Sequence, residues 1–320
     1  MTKITAFQYG LFKYQKYQQI GTLQKPEAAM NVITSPQISF RQVLIATDLS
    51  DASSNALQYA KAIAKQYASH LVLVHVCQPV AHIPIPQGGW IEDGATQRIE
   101  EEKTYALGTE LRAEGYVADA VTTYGQIEHE VLSLAEARGA DLIVLGTHGP
   151  RGMDRLLSGS EAEALIYRCD RPVLTVGPAV VPPLGNTRLL DRIVCAAAPG
   201  TYSAKAAAYG YRLAQENRAS FILIYAENPD GAPSPDGWQA FEDAFAKELP
   251  GGQAQHCAIQ GYFSNESPAA DIVEVAKKRQ AGLIVLGAKP AIPGSTHFRR
   301  GVVPEVLLRA PCPVLTIRSH

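Results

Sequence analysis

The stretch "DLIVLGTHGPRGMDRLLSGSEAEAL", Asp141–Leu165, decides how this chain is read. Four apolar residues, Leu142–Leu145, run into Gly146, with Gly149 three places on. A crossing of nine residues then reaches Gly159-Ser160, just ahead of a helical pattern. An apolar run this short is a strand buried on both faces, and the glycines stand at its carboxyl end. Glycine at 146 and 149 removes side chains where a ligand's groups would clash, and it permits positive φ. A helix start at Gly159-Ser160 offers free N–H groups, the positive dipole end and the Ser160 hydroxyl to an anion. Ser160-x-x-Glu163 is equally a capping box, which serves the helix with no ligand at all.

Working outward from this strand, the chain repeats itself. "ADLIVLG" (Ala140–Gly146) returns as "AGLIVLG" (Ala281–Gly287), and "RPVLTV" (Arg171–Val176) as "CPVLTI" (Cys312–Ile317), an offset of 141. Earlier segments repeat at an offset of 150: the apolar run Val43–Thr47 matches Ile193–Ala197, and Ala56, Tyr59 and Ala64 match Ala206, Tyr209 and Ala214. One unit has been duplicated, and the second copy has lost about nine residues between the two registers. "GPAVVPPLGNTR" (Gly177–Arg188), rich in Pro and Gly, reads as the linker. The expected organisation is a leader over 1–40, a first domain over 41–177, a linker over 178–189 and a second domain over 190–318.

Within each copy, continuous apolar strands alternate with helical patterns such as Ala56, Ala60, Ile63 and Tyr67. That order predicts a doubly wound α/β fold, a parallel sheet covered on both faces. Ligands of such sheets bind beyond the carboxyl ends of the strands, where the strand order reverses. If the first and fourth strands are neighbours, the Asp48 turn and Gly146 face one crevice.

Composition sets bounds on partners. The 320 residues suffice for two domains, and a net charge of −2 gives no reason to expect nucleic acid or an acidic membrane. No apolar run approaches the roughly 20 residues of a spanning helix. The five cysteines, Cys77, Cys169, Cys195, Cys257 and Cys312, are scattered without C-x-x-C spacing and read as reduced core thiols of a cytoplasmic protein. Residues 1–40 carry Lys3, Lys13, Lys16 and Lys25 against the single acid Glu27, with no apolar segment of a secretory signal behind them. They read as a disordered leader; a docking arm or a start at Met30 are the alternatives.

The layout "VLIATDLSDASSNAL", "LVLVHV", "LGTHG" and "SGSEAEAL…RPVLTV" resembles the universal stress protein family, strongly over 41–177 and more weakly over 190–318. The ATP-binding branch of that family is marked by Gly-x2-Gly-x9-Gly-(Ser/Thr), which Gly146, Gly149, Gly159 and Ser160 satisfy. The resemblance implies two flavodoxin-like domains in tandem, each with strand order 3-2-1-4-5. It implies ATP, with Mg²⁺, as ligand of the first. Thr47 and Asp48 would lie at the adenine and ribose end, and Val76 would give backbone contacts to adenine. Leu145 and Gly146 would flank the ribose and first phosphate, while Gly149, Gly159 and Ser160 would hold the phosphates. It also implies that Val173–Val176 pairs antiparallel with Val314–Ile317, making an internal pseudo-dimer; a homodimer and a regulatory protein partner are further possibilities.

Two departures qualify this picture. Glu161 follows Ser160 where the family has a small or apolar residue, and its carboxylate suits the helix dipole but repels phosphate, which a divalent cation would offset. In copy two the Asp48 position is Ala198, Gly149 becomes Pro290 and Gly159-Ser160 becomes Arg300-Gly301, leaving Gly287 alone of the motif. Only the first copy is therefore expected to take ATP.

Other residues compete for roles. Asp48 has a second reading as a helix N-cap, which Ser50 or Ser53 could supply instead. His75, in an apolar strand, reads as a satisfied core or interface histidine. His148, Arg151 and Arg155 could reach a nucleotide from the phosphate loop or stay in solvent. No His/Cys/Asp/Glu cluster has metal-ligand spacing, and Ser50, Ser53 and Ser54 lack a base partner. Binding is thus favoured over hydrolysis. A nucleotide-binding regulatory module in stress tolerance is the main expectation, beside a slow ATPase or autophosphorylating enzyme and a nucleotide-independent scaffold.

Overall fold

The computed structural model describes residues 38–77, 82–84, 90–92, 94–147, 159–183, 190–198, 200–225, 235–249, 258–261, 267–288 and 301–318. The apolar runs become strands because side chains on both faces find cover: Val43, Leu44 and Ile45 in β1 (Gln42–Thr47) are all fully buried, as are Leu71, Leu73 and Val74 in β2 (His70–Cys77). Helix α1 (Asp51–Tyr67) connects them, starting on Ser50 and ending on Ala68, which takes the left-handed conformation at φ 54°. A short antiparallel pair follows, β3 (His82–Pro84) with β4 (Trp90–Glu92), which the sequence reading did not foresee. Then come α2 (Ala95–Ala113), β5 (Ala118–Tyr124), α3 (Ile127–Ala137), β6 (Leu142–Gly146), α4 (Gly159–Arg168) and β7 (Val173–Val176).

The second half repeats the order: β8 (Arg192–Ala197), α5 (Ala204–Asn217), β9 (Ser220–Tyr225), α6 (Pro235–Glu248), β10 (Ala258–Gly261), α7 (Pro268–Lys278), β11 (Leu283–Ala288), α8 (Val302–Arg309) and β12 (Val314–Arg318). The repeat extends to backbone detail. Arg218 closes α5 at φ 53°, 150 residues after Ala68 closes α1 at φ 54°.

The main sheet runs β10-β9-β8-β11-β12-β7-β6-β1-β2-β5. Each half therefore shows the expected 3-2-1-4-5 order once the β3–β4 pair is set aside, and all pairings within a half are parallel. The two sheets are one sheet, joined where β7 meets β12 antiparallel with Leu174 opposite Leu315. This is the pairing the resemblance implied, and it covers two edges that would otherwise template association.

Two apolar clusters line the two faces, and each runs through both halves. One gathers Ile45, Leu73 and Ile63 with Leu213, Phe241 and Val285; the other gathers Leu44, Val74 and Val131 with Ile272, Ile284 and Val306. Polar contacts stitch the seam as well. On the first-half side, the Asn55 amide donates to the Val180 carbonyl at 2.7 Å and Tyr59 OH to the Val181 carbonyl at 2.7 Å, tying α1 to the segment that leaves β7. The Asn217 amide donates to Tyr67 OH at 2.9 Å, and Tyr67 and Asn217 are equivalent positions of the two copies, 150 residues apart. Arg318 donates to the Arg168 carbonyl and to Asp170 Oδ1, both at 2.7 Å. Cys77, Cys169, Cys195 and Cys312 are buried and form no disulfide with one another, while Cys257 lies outside the described residues. Among the described residues no helix is long and apolar enough to cross a membrane.

Candidate functional site

β1 pairs with β2 on one side and β6 on the other, with Ala46 opposite Leu145. Their carboxyl ends therefore open together, at the point where the strand order of the first half reverses. Here lies a shallow cleft, open to solvent, floored by Ala46, Thr47 and Asp48 of the β1 end and by Val74 and Val76 of β2. Ile127 and Val131 of α3 form its wall. Thr47, Asp48 and Val76 are thus brought together as expected.

The turn after β1 is tightly built. Leu49 takes φ 64°, a left-handed value that a non-glycine residue adopts only when its surroundings hold it there. They do so from both sides: Thr47 Oγ1 accepts from Leu49 N at 3.0 Å, and Asp48 Oδ1 accepts from Ser50 N at 3.0 Å and from the Ser50 hydroxyl. Ser50, in turn, is the N-cap of α1, accepting from Ser53 N at 3.3 Å. Asp48 is therefore not the cap; it braces the turn and stands half-buried at the cleft. The equivalent turn in the second half lacks the carboxylate. There Ser203 Oγ donates to the Ala198 carbonyl at 3.0 Å and sits 3.2 Å from the Ala198 amide.

Gly146 has a role the sequence did not reveal. A Cβ at this position would collide with the Ala52 carbonyl, well inside van der Waals distance, so the first turn of α1 lies against the bare backbone of β6. Its φ is not among the positive ones. The expectation that Gly146 leaves room for a ligand is corrected to this extent: its missing side chain makes room for the protein's own helix. Leu145 is fully buried in the core, so only its backbone faces the strand end. The next residue, Thr147, donates its N–H to the Val176 carbonyl at 3.0 Å, and its buried hydroxyl has no hydrogen-bond partner among the described residues.

Gly159, Ser160 and Glu161 form the first turn of α4, as the sequence predicts for a helix start; their side-chain surroundings, like Gly149, His148, Arg151 and Arg155, lie outside the described residues. In the second half the equivalent helix α8 begins one residue beyond Gly301, which makes no side-chain cap.

Next to the cleft is a group that sequence spacing missed. His75 and Cys77, two apart on β2, share the face of Leu71 and Leu73, over which α2 packs and places Glu100. The ligand atoms of His75, Cys77 and Glu100 lie within 4.8 Å of one another. Burial, together with the Glu100 carboxylate that accepts its hydrogen bond, pushes the Cys77 thiol up to about 12. His75 was expected to be a satisfied core or interface histidine, yet its Nε2 is buried without a hydrogen-bond partner among the described residues.

Comparison with known proteins bears on the whole chain. Residues 39–177 and 190–318 each match the model of the universal stress protein family. The first of these relatives, universal stress protein MJ0531 of Methanocaldococcus jannaschii, is 31% identical over 150 residues, 46% of this chain and 87% of that protein. Universal stress protein A homolog 1 of Coxiella burnetii is 37% identical over 143 residues, 43% of this chain and 96% of that protein. Among solved structures, a universal stress protein from Archaeoglobus fulgidus superposes with a TM-score of 0.64 at 20% identity, covering 87% of this chain and 98% of that one.

Proposed function

Since this chain belongs to the universal stress protein family, we propose that its first half binds ATP and that the protein is a nucleotide-dependent regulatory module of the stress response. One observation carries this reading: the cleft that joins Thr47, Asp48 and Val76 opens beside the β6 end, where Gly146 begins the Gly-x2-Gly-x9-Gly-Ser motif. Adenine would lie over Val76 against Ile127 and Val131, with Asp48 and Thr47 toward the ribose. Gly149, Gly159 and Ser160 would receive the phosphates at the positive end of α4. Mg²⁺ would offset the like charge of Glu161. The organisation proposed with it is a nucleotide-binding domain over 41–177, a linker over 178–189, a second domain without a nucleotide over 190–318, and a leader over 1–40. A cytoplasmic site of action suits the reduced cysteines.

The asymmetry between the copies gives the test. Calorimetric titration of the full chain with ATP and Mg²⁺ should give one site, because Ala198, Pro290 and Arg300-Gly301 replace the ligand-facing positions in copy two. A stoichiometry near two overturns the asymmetry, and no heat at millimolar ATP overturns the site. Gly149→Val and Gly159→Val should each abolish that binding while leaving the melting temperature of the free protein nearly unchanged. Loss of stability in the free protein would show that these glycines serve the backbone instead.

A further inference from the structure

We propose that His75, Cys77 and Glu100 form a binding site for a divalent thiophilic cation, of which Zn²⁺ is the natural occupant. His75 Nδ1 lies 2.9 Å from the Thr47 carbonyl oxygen, and a carbonyl can only accept, so Nδ1 carries the proton. In the neutral ring Nε2 is then a bare lone pair. It sits in a side chain that is 1% exposed, and among the described residues it has no hydrogen-bond partner.

What it faces makes the arrangement informative. Glu100 Oε2 is 3.4 Å away, so a ring nitrogen and a carboxylate oxygen border the same small volume. Two such acceptors repel unless a cation stands between them. The Cys77 thiol, which donates to that carboxylate in the metal-free chain, brings a third ligand atom to the same volume, and a metal held by all three would displace the thiol proton. A carbonyl that fixes the histidine tautomer and aims the other nitrogen is how metal-ligating histidines are held.

The dimensions agree. Bond lengths of about 2.0–2.1 Å to nitrogen and oxygen at tetrahedral angles put those two atoms about 3.3–3.4 Å apart. The separation found is 3.4 Å. A zinc–thiolate bond of about 2.3 Å would put sulfur roughly 3.6 Å from each, inside the 4.8 Å that encloses the three atoms. One sulfur, one nitrogen and one oxygen ligand suit Zn²⁺ better than Mg²⁺ or Ca²⁺, which ask for oxygen alone. Three protein ligands leave a fourth position for water or a substrate atom. Glu100 is the side through which an ion could enter, its side chain being 31% exposed while His75 and Cys77 are closed off.

The probe is Co²⁺, then Zn²⁺, on the full chain stripped of metal with its thiols kept reduced. One Co²⁺ per chain should bind with the near-ultraviolet charge-transfer band of a cobalt–thiolate bond, and Zn²⁺ should displace it, following the usual affinity order. Cys77→Ala should lose that band. Glu100→Gln, at a half-exposed position that folding tolerates, should keep the band but weaken binding at least tenfold, the loss expected for disturbing a metal site. Zn²⁺ should raise the melting temperature of the native sequence and not of Cys77→Ala. The proposal fails if no saturable band appears at one equivalent, which leaves a proton as the only cation between His75 and Glu100. It fails equally if the band survives Cys77→Ala at full size, or if Glu100→Gln binds as tightly as the native chain. These readouts need no nucleotide, so they stand or fall apart from ATP binding.

Discussion

Leu315→Glu should destabilise the protein by at least about 4 kcal/mol, the largest effect we expect of any single change. Leu315 is 2% exposed and sits on β12 opposite Leu174 of β7, at the antiparallel joint of the two half-sheets. It also lines a largely apolar hollow with Phe40, Tyr59, Leu190 and Leu213, where the Tyr59 hydroxyl already donates to the Val181 carbonyl, so a carboxylate there would meet little that could receive it. The substitution removes a buried leucine, worth about 2–5 kcal/mol, and leaves an unpaired buried charge in its place. Because both apolar clusters run through both halves, damage at this joint should spread to each of them. Urea unfolding followed by circular dichroism is the check. A change under about 1 kcal/mol would mean that the joint contributes little and that each half stands alone.

Gly146→Ala comes second, with an expected loss of about 2–3 kcal/mol in the ligand-free protein. The added methyl would meet the Ala52 carbonyl, a backbone atom in the first turn of α1 that can move only with its helix. Overpacking of this kind costs about 1–3 kcal/mol. At the equivalent Gly287 a Cβ would lie 3.2 Å from Ser203 Cα and the Tyr202 carbonyl, a tight approach that small shifts relieve. Gly287→Ala should therefore cost under about 1 kcal/mol. At roughly 2–4 °C per kcal/mol for chains of this kind, thermal melts separate the two variants. Equal melting temperatures for Gly146→Ala and the native chain would return Gly146 to the role of a ligand-side glycine.

The fold was legible in the sequence because its strands announce themselves. Runs such as "HLVLVHVC" in β2 and "LIVLG" in β6 carry no alternation, and only a sheet covered on both faces accepts them. The recurrence of "ADLIVLG" and "RPVLTV" fixed the second half and its edge strand. The β3–β4 pair was not legible, since "HIPIPQGGWIE" (82–92) is punctuated by two prolines and two glycines that read as loop. At the site, Thr47, Asp48 and Val76 came together as expected because strand ends in this topology share one opening. Gly146 was read correctly as a place without room but assigned to the wrong neighbour: a glycine tells that space is occupied, not by what. His75 and Cys77 gave a weaker signal still, since the third member of their group, Glu100, comes from a helix 23 residues further on. Proximity created by packing leaves no spacing to read.

The contact between Tyr67 and Asn217 has a consequence for whom this protein can associate with. In a dimer of identical chains a residue on the twofold axis meets its own copy, so the pair there is always a like pair. Here a phenol accepts from an amide, a match that arises only when the two sides are free to diverge. Covalent fusion grants that freedom, and it also holds the two edges at an effective concentration of the order of millimolar. A lone domain of this fold would offer that edge to a second copy; in this chain the edge is filled from within, by residues matched to each other.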